Sequence, residues 1–82
     1  MLLEIITPDN KVFSGEVVSA NFPGTNGSFE VEINHAPLIS TLGKGNIVIN
    51  EKNLPEKTYT VDGGIVEVLN NKIIVLAEAI LS

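Results

Sequence analysis

No cysteine, no tryptophan and no arginine occur in this chain of 82 residues, and histidine and methionine occur once each. Without cysteine there are no disulfide staples and no thiolate ligands, so a reducing compartment is allowed. One histidine among scattered carboxylates does not make a metal-ligand cluster, and no run of acids has calcium-loop spacing. With no arginine, five lysines face ten acids, for a formal net charge of −5. Phosphate backbones and anionic lipid headgroups repel such a surface, which argues against nucleic acid and direct lipid contact. Long apolar runs are also missing. Ile73–Ala77 is the longest, far short of the ~20 residues that a spanning helix needs. Met1-Leu2-Leu3-Glu4 has no basic flank and Pro8 follows soon after, so the start does not read as a signal or transit peptide. No window carries a 3.6-residue apolar period with caps.

What is present is alternation. Leu2–Ile6, Lys11–Phe13, Glu16–Phe22, Ser28–Ile33, Leu38–Leu42, Asn46–Asn50, Lys57–Val61, Ile65–Leu69 and Lys72–Ala77 each read as strands. Turn chemistry separates them. Thr7-Pro8-Asp9-Asn10 has proline at a turn's second position, and Pro23-Gly24 and Asn26-Gly27 each favour a turn. Gly43-Lys44-Gly45 reads as another turn, and Asp62-Gly63-Gly64 as a tight turn or bulge that needs glycine torsions. Asn70-Asn71 is a two-residue hairpin connection, since both asparagines tolerate positive φ. Glu51–Glu56 is an exposed hairpin loop. Strand-like pieces every 8–12 residues predict one all-β domain over residues 1–82, a sandwich or barrel of mostly antiparallel pairs. The hairpin Ile65–Ala77 is the most apolar part and is expected at the centre of the core. A domain this small buries only about 60–65% of its unfolded surface, so a partner surface is a reasonable expectation.

Chemistry is sparse. Gly43-Lys44-Gly45 lacks the spacing of a phosphate loop, and no dinucleotide fingerprint occurs. His35 is the only general-base candidate near neutral pH, and nothing in the pattern assigns it a nucleophile. The imidazole reads instead as a tie for an irregular corner, since Pro37 removes a backbone donor and biases Ala36 to extended geometry. Catalytic, cofactor and metal residues are therefore expected to be absent. A small-ligand-binding β-sandwich is the alternative reading. It would need an aromatic-lined pocket, and three Phe and one Tyr are thin means for one.

Pro23-Gly24-Thr25 through Asn34-His35-Ala36-Pro37-Leu38 is followed by Gly63-Gly64-Ile65-Val66-Glu67-Val68 and Val75-Leu76-Ala77. With Ile6-Thr7-Pro8-Asp9 and Val12-Phe13-Ser14-Gly15-Glu16-Val17, these motifs resemble, in order and spacing, the epsilon-subunit family of F-type ATP synthases. The likeness spans residues 2–79 and is to the N-terminal β-sandwich domain (the mitochondrial counterpart is called delta). It implies a flattened antiparallel β-sandwich of about ten short strands and no active site or cofactor. It implies binding to the gamma subunit and the c-subunit ring in the central stalk, coupling proton translocation to ATP synthesis at the cytoplasmic face of a bacterial plasma membrane. It places Thr25, Asn26, Gly27, Ser28 and Glu30 toward the c ring. It places His35, Ala36, Pro37, Leu38 and Ser40 by gamma. Members often carry Gly-Glu-Leu-Gly where this chain has Gly27-Ser28-Phe29-Glu30, so the ring-side acid is replaced by Ser28, with Glu30 two positions on. Ile33 stands where proline is common. The family usually continues into a two-helix hairpin that in some members binds ATP. A chain ending at Ser82 is expected to be a natural short form with no nucleotide site.

Overall fold

The structure, a computed structural model, describes residues Met1–Ser82. Seven strands make up the chain: β1 (Leu2–Ile6), β2 (Lys11–Glu16), β3 (Ser19–Phe22), β4 (Phe29–Glu32), β5 (Leu38–Asn50), β6 (Lys57–Leu69) and β7 (Lys72–Ala77). They form one sheet in the order β2-β1-β7-β6-β5-β3-β4. Every adjacent pair is antiparallel except β1 with β7, which is parallel. The all-β architecture is as the alternation predicts, and no helix is present.

Neither of two expected glycine turns reverses the chain, although Gly63 and Gly64 do take the glycine torsions expected of them. Gly43-Lys44-Gly45 lies inside β5 and Asp62-Gly63-Gly64 inside β6, and the ladder runs through both with Leu42 opposite Gly64 and Lys44 opposite Asp62. Local turn preference loses here to a long antiparallel ladder, which continues through the glycines on both strands. What the glycines supply is twist. On β5 the buried residues are Leu42, then Ile47 and Ile49; on β6 they are Val61, then Val66 and Val68. Side chains alternate with period two along a strand, so the inward face changes between the two halves of each strand. The hairpin thus presents opposite faces of one ladder to the same core. Gly63 and Gly64 take φ of +108° and +152° at that switch, and Gly64 lies so close to Leu76 and Ala77 of β7 that a side chain would overlap their backbone.

The sheet therefore folds over into two layers. The first holds β2, β1, β7, the second half of β6 and the first half of β5; the second holds the remaining halves with β3 and β4. The C-terminal tail joins the second layer beside β6, with an isolated bridge between Val61 and Ile80 and the Leu81 N–H donating to the Thr60 carbonyl at 2.7 Å. The seven strands become ten short segments when the two bent ones are counted by half and the tail is included. That accounts for the larger number expected.

The core is a single cluster of 17 apolar residues, with no buried polar side chain. Phe22, Leu3, Ile5, Ile47, Ile49 and Ile73 are its largest fully enclosed members. The hairpin of β6 and β7 sits mid-sheet, as its apolar character predicts. Its connection carries Asn70 and Asn71 at φ of 52° and 61°, as the two-asparagine signal requires. The predicted Thr7–Asn10 turn is present, closed by the Thr7 N–H donating to the Asn10 carbonyl at 2.8 Å. Two strand boundaries differ from expectation. The stretch Glu16–Phe22 is not one strand: β2 continues to Glu16, and the chain crosses between layers at Val17 and Val18. The Val17 N–H donates to the Met1 carbonyl and the Val18 N–H to that of Asn50, so Val17 is buried while Val18 is exposed. The crossing resets the alternation. β4 likewise ends at Glu32, leaving Ile33 half exposed in the following turn rather than in line with Phe29 and Val31.

Candidate functional site

The Pro23–Ser28 segment folds back onto the middle of β5. The Gly27 N–H donates to the Gly24 carbonyl at 3.0 Å, closing a turn, and Gly27 takes a φ of +123°. Two further backbone bonds staple the turn to β5, from Thr25 N–H to the Thr41 carbonyl at 3.1 Å and from Gly43 N–H to the Pro23 carbonyl at 2.9 Å. The Thr25 and Thr41 hydroxyls lie 2.7 Å apart, and Gly45 leaves room for the Pro23 ring, whose Cβ would be 2.7 Å from any side chain there. Thr25, Asn26, Gly27 and Ser28 are all exposed, as is Glu30 on the outer side of β4. The backbone is fixed while the side chains face solvent. Such a turn can present groups to a partner without ordering first.

The second corner is built differently. The His35 N–H donates to the Glu32 carbonyl at 3.1 Å, making a turn in which Asn34 adopts a φ of 64°. The Asn34 N–H donates to the Asn71 side chain at 2.9 Å, so this corner is anchored on the β6–β7 hairpin. The His35 Nδ1 lies 2.7 Å from the Ala36 carbonyl. A carbonyl only accepts, so Nδ1 is the donor in this contact. The ring ties its own corner, as expected, and makes no hydrogen bond to a serine or an acid. No group of three or more His, Cys, Asp or Glu residues lies together.

Of the residues expected beside gamma, His35, Ala36 and Pro37 are exposed, while Leu38 and Ser40 are half-buried. Leu38 and Ser40 lie on the inner side of β5, opposite Val68 and Val66. The residue between them, Ile39, is 70% exposed and faces out. Ile39 is not among the residues expected beside gamma, although strand alternation alone separates it from both neighbours. The two corners do not converge. One is bound at Thr41 and the other leads into Leu38, three residues along β5 and roughly 10 Å away.

Charge on the first layer is partly neutralised. Lys11 Nζ lies 3.0 Å and Lys72 Nζ 3.9 Å from the Glu4 carboxylate. The hydrogen bond from Lys11, with the charges of Lys11 and Lys72, holds Glu4 below the ordinary carboxylate range.

Residues 1–82, the whole chain, match the family model of the ATP synthase delta/epsilon chain β-sandwich domain. The chain belongs to this family. The epsilon chain of Maridesulfovibrio salexigens is 47% identical over 78 residues, covering 95% of this chain and 54% of that one. The epsilon chain of Chlorobaculum tepidum is 41% identical over 78 residues, covering 95% of this chain and 89% of its own length. The epsilon-type chain described here thus spans about half of the first relative and most of the second. Among solved structures, a chain of the Tetrahymena thermophila mitochondrial ATP synthase central stalk and c ring superposes with a TM-score of 0.85 at 15% identity, over 99% of this chain and 65% of that one. A chain of the Euglena gracilis mitochondrial ATP synthase gives 0.90 at 16% identity, over 96% and 51%. At such identities the superpositions establish the shared β-sandwich fold.

Proposed function

We propose that this epsilon-family domain is a non-catalytic rotor subunit of a bacterial F-type ATP synthase, joining the gamma subunit to the c-subunit ring and coupling proton translocation to ATP synthesis. It works at the cytoplasmic face of the plasma membrane, held there through the complex. The observation that carries this reading is the family match over residues 1–82. The geometry supports it. Two rigid, solvent-facing corners are held by one folded sheet at separate places, and a part that transmits torque needs such a separation. The Thr25–Ser28 turn, with Glu30 beside it on β4, forms the ring side. The His35–Pro37 corner, continuing into β5, forms the gamma side.

Co-expression with the gamma subunit of the same enzyme tests this directly, with a stable complex expected at low micromolar concentration or better. Two substitutions separate the ends. Glu30→Lys reverses charge on the ring side and should weaken proton pumping while leaving gamma binding largely intact. His35→Ala removes the tie to Ala36 and should weaken gamma binding first. Loss of gamma binding in Glu30→Lys with normal coupling would show that the two ends are assigned the wrong way round.

A further inference from the structure

We propose that Asn26 is a site of spontaneous covalent modification, at which the Gly27 backbone nitrogen displaces the side-chain amide and leaves an aspartyl or isoaspartyl residue in the Thr25–Ser28 turn. The inference stands apart from the stalk reading above, since it needs no partner. Nine asparagines occur in the chain, and Asn26 alone is followed by glycine. After each of the others comes a residue whose side chain crowds its own nitrogen. Asn26 and Gly27 are both exposed. Nothing lies within 4 Å of where a Gly27 Cβ would sit, so the space beside the attacking nitrogen is open. The Asn26 carboxamide takes no part in holding the turn, which rests on backbone hydrogen bonds and on the Thr25 and Thr41 hydroxyls. It is free to rotate toward the Gly27 nitrogen.

The chemistry needs only water and hydroxide. Hydroxide takes the Gly27 N–H proton, and the nitrogen attacks the Asn26 Cγ. The Cγ–Nδ2 bond breaks, the leaving nitrogen takes a proton from water and departs as ammonia, and a succinimide ring closes. One water then opens the ring. Entry at Cγ restores the ordinary backbone with an aspartyl side chain. Entry at the backbone carbonyl routes the chain through Cβ and Cγ, giving an isoaspartyl residue. The sum is one water consumed and one ammonia released. Either product adds one negative charge to the net −5. The isoaspartyl form also lengthens the backbone between Thr25, bonded to Thr41, and Gly27, bonded to Gly24.

The turn itself is the gate. The Gly27 N–H donates to the Gly24 carbonyl at 3.0 Å, and while that bond stands the proton is held. The reaction therefore waits for the turn to open, and an exposed turn opens locally at far less cost than the whole domain. The one Asp-Gly pair, Asp62-Gly63, can cyclise by the same route and serves as an internal control. There Gly63 is buried in β6. The Asp62 N–H donates to the Ala79 carbonyl and the Gly63 carbonyl accepts from the Glu78 N–H, while β5 pairs along the other edge. Opening that site means unzipping the tail or the ladder, so it is expected to stay intact.

The test is incubation of the purified chain at neutral and at mildly alkaline pH, followed by mass spectrometry and by labelling with a protein isoaspartyl methyltransferase. The mass gain of an amide-to-acid exchange is expected, faster at the higher pH, and placed at Asn26 by fragmenting the tryptic peptide Val12–Lys44. Asn26→Gln is expected to lose both the gain and the label, because the longer side chain closes a larger ring far more slowly. Thr25→Ala removes the hydroxyl pair that pins the turn and is expected to react about 2–5-fold faster. Both variants are first shown by thermal unfolding to be folded. Wild type in urea gives the rate that Asn26 reaches with the turn gone. Folded wild type that stays unmodified while the urea sample reacts at Asn26 would overturn the proposal. A mass gain that appears first at another asparagine, or label at Asp62 ahead of Asn26, would do the same. Thr25→Ala that reacts no faster than wild type would overturn the gating by the turn.

Discussion

Replacing Gly64 by alanine attacks the place where the sheet changes face. Gly64 adopts a φ of +152°, and an added Cβ would overlap the Leu76 carbonyl oxygen and lie 3.0 Å from the Ala77 Cα. Those atoms are backbone of the central β6–β7 pair, so no rotamer change relieves the contact. The unfavourable φ costs about 1–3 kcal/mol and forced overpacking about 1–3 kcal/mol more, for a total of about 2–6 kcal/mol. A domain of this length has only ~4–12 kcal/mol of stability, and each kcal/mol is worth roughly 4–8 °C in Tm. Gly64→Ala should therefore lower Tm by roughly 8–48 °C or leave the chain unfolded. Two other glycines calibrate the effect. Gly27 has a φ of +123° but no neighbour within 4 Å of where an added Cβ would sit, so Gly27→Ala should cost only about 1–2 kcal/mol. Gly43 has neither a positive φ nor a neighbour closer than 4.0 Å, so Gly43→Ala should be neutral or gain up to about 1 kcal/mol. Thermal unfolding of the three variants by circular dichroism gives the comparison. Equal losses at Gly64 and Gly27 would refute the idea that close approach of β7 sets the requirement.

Glu4→Gln should flatten the acid side of the stability curve. The folded Glu4 has its pKa lowered from the reference 4.5 by Lys11 and then Lys72, so its contribution is complete above that value and is lost as pH falls through the lowered one; urea unfolding from pH 7 to pH 3 reads it. Thr25→Ala and Thr41→Ala each break the hydroxyl pair at 2.7 Å. A double-mutant cycle should return a coupling of about 0.5–1 kcal/mol, with faster amide exchange at Gly27 in both variants, and additive losses would show that the pair contributes nothing.

Much of the fold was legible because one-face burial writes period-two patterns, as in Leu3 and Ile5 or Ile73 and Val75. Asn70-Asn71 and Thr7–Asn10 were legible because their turn chemistry is local. The torsions of Gly63 and Gly64 were legible too, but the place of the β5 and β6 glycines inside a ladder was not. The same residues that make a turn also permit a sharp twist within a ladder, and only the partner strand decides between them. Val17 and Val18 defeated the alternation because the chain changes layers there. At the candidate site, the exposed turn and the His35 corner could be read from Gly, Asn and Pro placement. Ile39 could have been found by parity alone. Which residues of β6 turn outward could not, since that depends on the registers of β5, β6 and β7 and on which side of that ladder meets the core.

Whether the chain couples rotor to ring through two separate ends is tested most directly by ATP-driven proton pumping. The parent ATP synthase in vesicles is stripped of its epsilon subunit and then reconstituted with this chain. Wild type is expected to restore pumping. Glu30→Lys should still bind the stripped enzyme but restore pumping poorly, and His35→Ala should need a higher concentration to act. Pumping that is unchanged by addition of the folded chain at saturating concentration would contradict the coupling role.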